Sequence, residues 1–132
     1  LQDYVPARGG VITRLETLEA RFLYAIEVET GGGSFDLCPA DACLAAPGRA
    51  AVRMTAADPT PELIEAAERI AAAAKLDVGG VEVVIDDRDG RPRFYDINAL
   101  SNFVARPLEV LGWDPHERLV DFLEQRITEA RA

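Results

Sequence analysis

The most constraining feature of this sequence is a strand–turn–strand pattern between residues 81 and 98. Two runs of alternating polar and apolar residues flank Arg88, Asp89 and Gly90, which predict a three-residue loop with Gly90 in a left-handed conformation. Such a loop places Glu82 opposite Asp96. One predicted face carries Glu82, Val84, Asp86, Phe94, Asp96 and Asn98, and the other carries Val81, Val83, Ile85, Tyr95 and Ile97. The second face is mostly apolar, so we expect it to pack against helices.

The remainder of the first half predicts more strands and one long connection. A short apolar run over residues 1–5 and an alternating pattern over residues 11–28 predict strands, the latter as an antiparallel hairpin. Residues 30–60 are rich in Gly and Pro and have no clear period. A connection of that length is either a functional loop or a disordered one.

Two segments predict helices. The first opens with Thr60 as the N-cap and Pro61 at the first helical position, and it ends near Leu76. The second opens at Asp114 and runs to about Arg131. Its predicted buried residues are Leu119, Val120, Leu123 and Ile127, with Trp113 and Phe122 also in the core and His116 facing solvent. The elements together predict an α+β fold, an antiparallel sheet with helices packed on one face.

Composition restricts the class of protein. The 132 residues are 48% apolar and 28% charged, which is typical of one globular domain. No apolar run reaches the roughly 18 residues of a membrane span and no signal peptide is apparent, so we expect a cytoplasmic protein that does not bind membranes. The 23 acidic residues exceed the 14 basic ones. That excess argues against nucleic-acid binding, which depends on Lys and Arg displacing counterions.

The two cysteines allow only limited chemistry. Cys38 and Cys43 are too few for a disulfide framework, and with one histidine they cannot form a four-ligand zinc site of Cys and His. Each is predicted to be a small buried hydrophobe. The alternatives are a loop that covers a substrate and a reversible disulfide between the two.

The predicted pairing of Glu82 with Asp96 suggests a metal. Two carboxylates directly across a strand pair repel at a cost of roughly 0.2–1 kcal/mol. A divalent cation would compensate, and Mg²⁺ prefers carboxylate, amide and phosphate oxygens. Glu82, Asp96 and Asn98 offer such a ligand set. The alternative is a solvated acidic face on an edge hairpin, whereas an EF-hand lacks support because the turn has no alternating ligands and no closing Glu.

These residues also carry a resemblance to a known family. An acidic residue at position 82, then Asp-Ile-Asn at 96–98 and Ser-Asn at 101–102, resembles the metal-binding end of the ATP-grasp ligases, especially the branch similar to glutamate ligases that modify ribosomal protein. The start of the chain resembles the hinge strand on which that family holds adenine. The resemblance implies Mg²⁺ ligation by Glu82, Asp96 and Asn98, ATP binding by Gln2, Asp3, Tyr4 and Val5 through the backbone of Asp3 and Val5, and contact of Arg14 with the terminal phosphate.

The sequence departs from the family's pattern in three places. Asp96 is one methylene shorter than the family's usual Glu, and residues 7–10 hold no counterpart of an acid that often binds ribose. The family's phosphate-binding lysines and glycine-rich loop precede the hinge, where this sequence begins. We therefore expect residues 1–132 to be the C-terminal part of an ATP-grasp domain, inactive on its own.

Four residues, Arg14, Ser101, Asn102 and Arg106, are candidates for phosphate or substrate binding. Ile12, Arg14 and Glu16 share one face of a strand, and the planar fork of an arginine suits phosphate oxygens; the alternative is a surface arginine on a hairpin. Ser101, Asn102 and Arg106 follow the metal-binding strand and would face the acyl donor or acceptor. A turn that caps the strand explains Ser101 and Asn102 almost as well.

The function implied by the resemblance is ATP-dependent ligation of a carboxylate to an amine through an acylphosphate, with ATP and Mg²⁺ bound. Its partners would be a nucleotide and a small carboxylate and amine, whose identity the sequence leaves open. The alternative is a non-catalytic binding module or degenerate fragment. An incomplete domain would expose core and sheet edge, so we expect the isolated chain to form homo-oligomers.

Overall fold

The computed structural model describes residues 3–29, 53–99, 101 and 103–132. A short 3₁₀ turn at Arg8–Gly10 leads into the first strand. The strands are β1 (Val11–Leu18), β2 (Arg21–Glu29), β3 (Met54–Ala57), β4 (Val78–Ile85) and β5 (Pro92–Asn98), and the helices are α1 (Pro61–Ala73), α2 (Pro107–Val110) and α3 (Pro115–Arg131). None of the helices within these residues is long and apolar enough to span a bilayer.

The five strands form one sheet in the order β3-β2-β1-β4-β5, with every neighbouring pair antiparallel. Both predicted hairpins are confirmed, β1 with β2 and β4 with β5. Gly90 has the predicted positive φ, 73°, but the predicted three-residue loop is wrong: Asp86 pairs with Arg91, so the loop comprises the four residues 87–90. The predicted register is confirmed at the end of the hairpin away from the turn, where Glu82 pairs with Asp96 and Gly80 with Asn98. The two hairpins meet at the β1–β4 pairing, in the middle of the sheet.

A β-bulge changes the faces that alternation predicts for β5. The register shifts between Glu82 and Val83, so that Val83 pairs with Phe94 and Tyr95 is the extra residue. Phe94 packs against the core cluster that contains Val83, and the Tyr95 hydroxyl reaches Glu82. The predicted placement of Phe94 on the polar face and Tyr95 on the apolar face is therefore wrong. A bulge sets two residues against one, which inverts the alternation on one side of it.

The core lies on both faces of the sheet. On one face, small residues let α1 pack closely; its buried cluster comprises Leu15, Ala25, Ala67, Val81 and Val83. On the other face, the second cluster comprises Tyr24, Ile26, Phe103 and Val104, with Val110 of α2 and Leu119 of α3 packed against it. The α+β class with an antiparallel sheet is confirmed, with the difference that helices cover both faces rather than one.

Helix α3 begins as predicted but turns a different side to the protein. Asp114 caps it by accepting a hydrogen bond from the backbone N–H of His116 at 2.9 Å. Phe122 is buried, whereas Val120, Leu123 and Ile127 are 52%, 48% and 51% exposed. The prediction that these three are buried is wrong. Apolar residues occur on two sides of this helix; Leu119 packs against the second core cluster and Phe122 is buried.

The start of the chain lies beside the β4–β5 turn. Leu1 and Gln2 are outside the described residues, and residues 3–6 form no strand, so the strand predicted for 1–5 is not found there. The segment is instead held by single contacts. Ala7 forms an isolated antiparallel bridge with Asp86, and the Asp87 N–H donates to the Pro6 carbonyl at 2.9 Å.

Candidate functional site

Strand register assembles the candidate site in two adjacent rows across β1, β4 and β5. In the first row Arg14 pairs with Glu82, and Glu82 with Asp96. In the second row Glu16 pairs with Gly80, and Gly80 with Asn98. Paired residues of neighbouring strands lie on the same face of a sheet. The predicted metal ligands and the predicted phosphate-binding arginine therefore share one face, although they come from strands about 70 residues apart in sequence.

Arg14 is fixed by two neighbours. Its Nη2 donates a hydrogen bond to the Ser101 hydroxyl at 3.0 Å, and its Nε lies 2.7 Å from Oε1 of Glu16. Ser101 also accepts a hydrogen bond from the Phe103 N–H at 3.2 Å. The predicted residue Ser101 is thus brought to the same place as Arg14. Because the Arg14 side chain is only 14% exposed, its fork is held in one direction rather than moving freely in solvent.

Glu16 is a site residue to which the sequence analysis gave no role. Its side chain is 1% exposed. Burial raises the pKa of Glu16 above its ordinary value, the charge of Arg14 opposes that rise, and the charge of Glu82 adds to it. Among the described residues, Oε2 of Glu16 has no hydrogen-bond donor, and Nε of Arg14 has no aligned acceptor despite the close approach to Oε1. The signal in the sequence is an acidic residue two positions after Arg14, on the same face of the strand.

Gly80 makes the space for this ion pair. A Cβ at position 80 would lie 3.0 Å from Nε of Arg14 and 3.1 Å from Oε2 of Glu16. Both distances are shorter than an ordinary van der Waals contact. The glycine is thus explained by the close approach of two charged side chains from the neighbouring strand.

The Glu82–Asp96 pair differs from the Arg14–Glu16 pair because cations do not compensate it. Glu82 is 8% exposed and Asp96 is exposed. Among the described residues, no Lys or Arg forms an ion pair with either carboxylate. The Tyr95 hydroxyl donates to Oε2 of Glu82 at 2.7 Å. Burial and this hydrogen bond raise the pKa of Tyr95 well above its usual range, so the phenol stays protonated and donates at neutral pH.

The donor set fits a magnesium ion. Within the part of the chain that the structure describes, no three His, Cys, Asp or Glu side chains cluster as metal ligands. A cation here would take the carboxylates of Glu82 and Asp96 and the amide oxygen of Asn98, with water or phosphate oxygens completing the shell. Mg²⁺ commonly binds in this way, through one or two carboxylates plus substrate phosphates.

The segment predicted to bind adenine lies at the other end of β4. Asp3 and Tyr4 are exposed and Val5 is half-buried, and the residues that follow, Pro6 and Ala7, contact Asp87 and Asp86. Glu82 precedes Asp86 by four residues, about 13 Å along an extended strand. The predicted metal ligand Glu82 and the contacts of Pro6 and Ala7 with residues 86 and 87 thus lie at two points along one stretch of chain.

The turn beside the hinge is stabilised by a buried carboxylate. Asp86 is 1% exposed and accepts hydrogen bonds from Nε and Nη2 of Arg88 at 2.9 and 2.8 Å. The Arg88 guanidinium holds the pKa of Asp86 well below its usual range. Arg93 lies 3.4 Å from the same carboxylate. Asp86 is thus engaged in the turn, although alternation placed it on the face of Glu82.

The remaining candidates are separate or undescribed. Arg106 precedes α2 with a positive φ of 55°, and its exposed side chain pairs with Glu109 at 3.0 Å. No contact within the described residues joins it to Arg14 or Ser101. Gln2, Asn102, Cys38 and Cys43 lie outside the described residues.

Comparison with solved structures identifies the class to which the fold belongs. No protein-family model matches the sequence, and no curated protein is significantly similar to it. The ATP-grasp ligase PsnB, solved with a minimal precursor, is 15% identical with a TM-score of 0.67, over 95% of this chain and 37% of PsnB. PsnB with minimal precursor, Mg and ADP is 15% identical with a TM-score of 0.66, over 94% of this chain and 35% of that one.

A macrocyclase has a similar fold. The macrocyclase MdnC bound with the precursor peptide MdnA, from Microcystis aeruginosa MRC, is 13% identical with a TM-score of 0.56, over 84% of this chain and 31% of MdnC. The resemblance stated from the motifs is thus confirmed for the fold, which is that of ATP-grasp ligases. The chain spans about a third of the length of these proteins.

Proposed function

We propose that this chain is the magnesium- and triphosphate-binding part of an ATP-dependent ligase that joins a carboxylate to an amine. The observation that carries the proposal is the row formed by Arg14, Glu82 and Asp96. In this row the Arg14 guanidinium, which is paired with Glu16, lies beside two carboxylates that form no ion pair with any described Lys or Arg. The fold likeness to ligases solved with Mg and ADP supports the same conclusion.

Each residue has a distinct role in the proposed reaction. Glu82, Asp96 and Asn98 would hold Mg²⁺, which when bound supplies neutralisation of phosphate charge. Arg14, oriented by Glu16 and Ser101, would contact the terminal phosphate where charge develops. Adenine would lie along Asp3 and Val5, with Gln2 and Tyr4 beside it. The protein's residues contribute position and charge rather than covalent chemistry.

The proposed reaction has two steps. A carboxylate oxygen of the substrate attacks the γ-phosphorus, the bond to the β-phosphate oxygen breaks, and ADP leaves with the electron pair. An amine then attacks the acyl carbon, phosphate leaves, and the amine loses a proton as the amide forms. Both steps place negative charge on phosphate oxygens, which is where Arg14 and the ligand set act.

The substrate carboxylate is proposed to belong to a peptide. PsnB and MdnC were both solved with precursor peptides. We favour a peptide over the small carboxylate expected from the sequence for that reason. An assay of ADP release with short acidic peptides and with free amino acids separates the two substrate classes.

Calorimetric titration with Mg²⁺ and a non-hydrolysable ATP analogue tests the metal site. It uses the complete natural polypeptide that contains these residues. The Glu82→Gln, Asp96→Asn double variant is expected to bind the Mg–nucleotide complex at least tenfold more weakly, because two of three protein ligands lose their charge. A control double variant, Asp121→Asn with Glu124→Gln, changes two exposed carboxylates of α3 and should bind as the wild type does. Unchanged affinity in the site variant would refute the ligand assignment.

A self-associating binding module remains a second candidate because of α3. Val120, Leu123 and Ile127 form a half-exposed apolar stripe at helical spacing. Sedimentation of the chain at rising concentration tests this candidate, with Leu123→Glu as the variant. A monomer at every concentration would remove it.

A further inference from the structure

The contact between Tyr95 and Glu82 involves one of the two oxygens that Glu82 would offer a cation. The Tyr95 hydroxyl donates to Oε2 at 2.7 Å. This is an ordinary distance for an O–H···O hydrogen bond, and a hydrogen bond to a carboxylate is stronger than one between neutral groups. Oε1 is the other oxygen of the same carboxylate.

The bulge in β5 sets two residues opposite Glu82. Val83 pairs with Phe94, so Tyr95 follows at the position opposite Glu82, and the register shift places Asp96 opposite Glu82 as well. The bulge thus presents Tyr95 and Asp96 together to Glu82. Bulges are frequent next to functional sites, where they redirect one side chain. The residues of this bulge lie on two paired strands rather than on a loop, so the phenol is held in place by the sheet.

We propose that Tyr95 is a specificity-determining residue that makes the site prefer Mg²⁺ over Ca²⁺ by restricting Glu82 to one metal-binding oxygen. The inference rests on the proposed function, since it takes Glu82 as a metal ligand. Mg²⁺ requires six ligands near ideal octahedral geometry, whereas Ca²⁺ takes six to eight and readily accepts both oxygens of one carboxylate. A carboxylate with one oxygen engaged by a phenol favours the first kind of shell. Removing the phenol leaves both oxygens of Glu82 available to a larger cation.

The experiment compares two metals in matched variants. Affinities for Mg²⁺ and for Ca²⁺ are measured by calorimetry in the presence of a non-hydrolysable ATP analogue, for wild type, Tyr95→Phe and Tyr24→Phe. Tyr24 carries a hydroxyl on the same face that accepts from the Val104 N–H at 2.9 Å, so it controls for loss of a phenol oxygen. We expect Tyr95→Phe to weaken Mg²⁺ binding about tenfold or more, the usual effect of removing a hydrogen bond to a metal ligand.

The ratio of the two affinities decides the proposal. Ca²⁺ binding to Tyr95→Phe should fall less than Mg²⁺ binding or should strengthen, while the ratio for Tyr24→Phe stays at the wild-type value. Equal losses for both metals would assign Tyr95 a merely structural role, and unchanged affinities would give it none; either result overturns the proposal. A thermal melt confirms that each variant is folded at the assay temperature.

A third variant separates this inference from the proposed function. Glu82→Gln in the same titration should weaken both metals. If it does and Tyr95→Phe leaves the ratio unchanged, the metal site stands and the role of Tyr95 fails. If Glu82→Gln changes neither affinity, the metal assignment itself fails.

Discussion

Replacing Gly80 with alanine tests the packing of the Arg14–Glu16 ion pair directly. The added Cβ would lie 3.0 Å from Nε of Arg14 and 3.1 and 3.3 Å from the two carboxylate oxygens of Glu16. Side-chain ends can often move away from a new methyl group. Here they cannot do so easily, because Glu16 is fully buried and Arg14 is held by Ser101. The whole pair must therefore shift by a few tenths of an ångström.

The expected loss of stability follows from two opposing effects. Inserting a carbon into a well-packed interior costs roughly 1–3 kcal/mol. Alanine also restricts the unfolded chain relative to glycine, which returns about 0.4–1 kcal/mol. The midpoints of the two ranges differ by about 1.3 kcal/mol, so we expect a net destabilisation of about 1–2 kcal/mol. For a chain of this length each kcal/mol lowers the melting temperature by roughly 3–5 °C, so Gly80→Ala should melt about 3–10 °C below the wild type.

Urea unfolding in a double-mutant cycle isolates the contact. Glu16→Ala removes the carboxylate that the new methyl group would approach, so Gly80→Ala should cost clearly less in that background than in the wild type. A coupling of at least 0.5 kcal/mol, about the lower limit for residues in contact, is expected. The reasoning is refuted if Gly80→Ala is as stable as the wild type, or if its cost is the same with and without Glu16.

Two further predictions concern the same pair. The raised pKa of Glu16 means that its contribution to stability is present below its ordinary value of 4.5 and is lost as pH rises through the folded-state pKa. The unfolding free energy of Glu16→Gln minus that of the wild type should therefore increase with pH over this window; urea melts at a series of pH values measure it, and a difference that falls or stays constant contradicts the direction of the shift. Arg14→Lys loses the planar fork that reaches Ser101 and Glu16 together, so affinity for the Mg–nucleotide complex should fall about tenfold, as expected for a site that needs more than a point charge. The control is Arg118→Lys, which changes an exposed arginine of α3 that lies 3.9 Å from Asp121 and should leave that affinity unchanged.

The pairing of Glu82 with Asp96 was predicted correctly, but two departures from the prediction cancel to produce it. Gly90 has the positive φ that the turn requires, yet Asp86 pairs with Arg91, so the loop comprises residues 87–90 and the register beside it is shifted by one residue. The bulge at Tyr95 then shifts the register back before Glu82. Strict alternation does not predict an inserted residue, so Tyr95, whose hydroxyl donates to Glu82, was assigned to the wrong face.

Glu16 and α3 show that the spacing of polar and apolar residues does not predict which side chains become buried. Alternation put Glu16 on the face of Arg14, but its burial depends on Gly80 in a strand far along the chain, and no local pattern specifies that approach. In α3, apolar residues lie on two sides of the helix. Phe122, the largest of these side chains, is buried and Leu119 packs against the core, whereas Val120, Leu123 and Ile127 are left half-exposed.

The charge of the site bears on the order in which its ligands arrive. Arg14 is already paired with Glu16, so it cannot also neutralise Glu82 and Asp96. A free nucleoside triphosphate would bring more negative charge to these two carboxylates, on a chain whose net charge is already -9. The two carboxylates already repel by roughly 0.2–1 kcal/mol across the strand pair, and the charges of a triphosphate would add to this repulsion. A divalent cation removes this repulsion for the carboxylates and the phosphates together. The proposed site is therefore one for a metal–nucleotide complex, in which neither component binds tightly without the other.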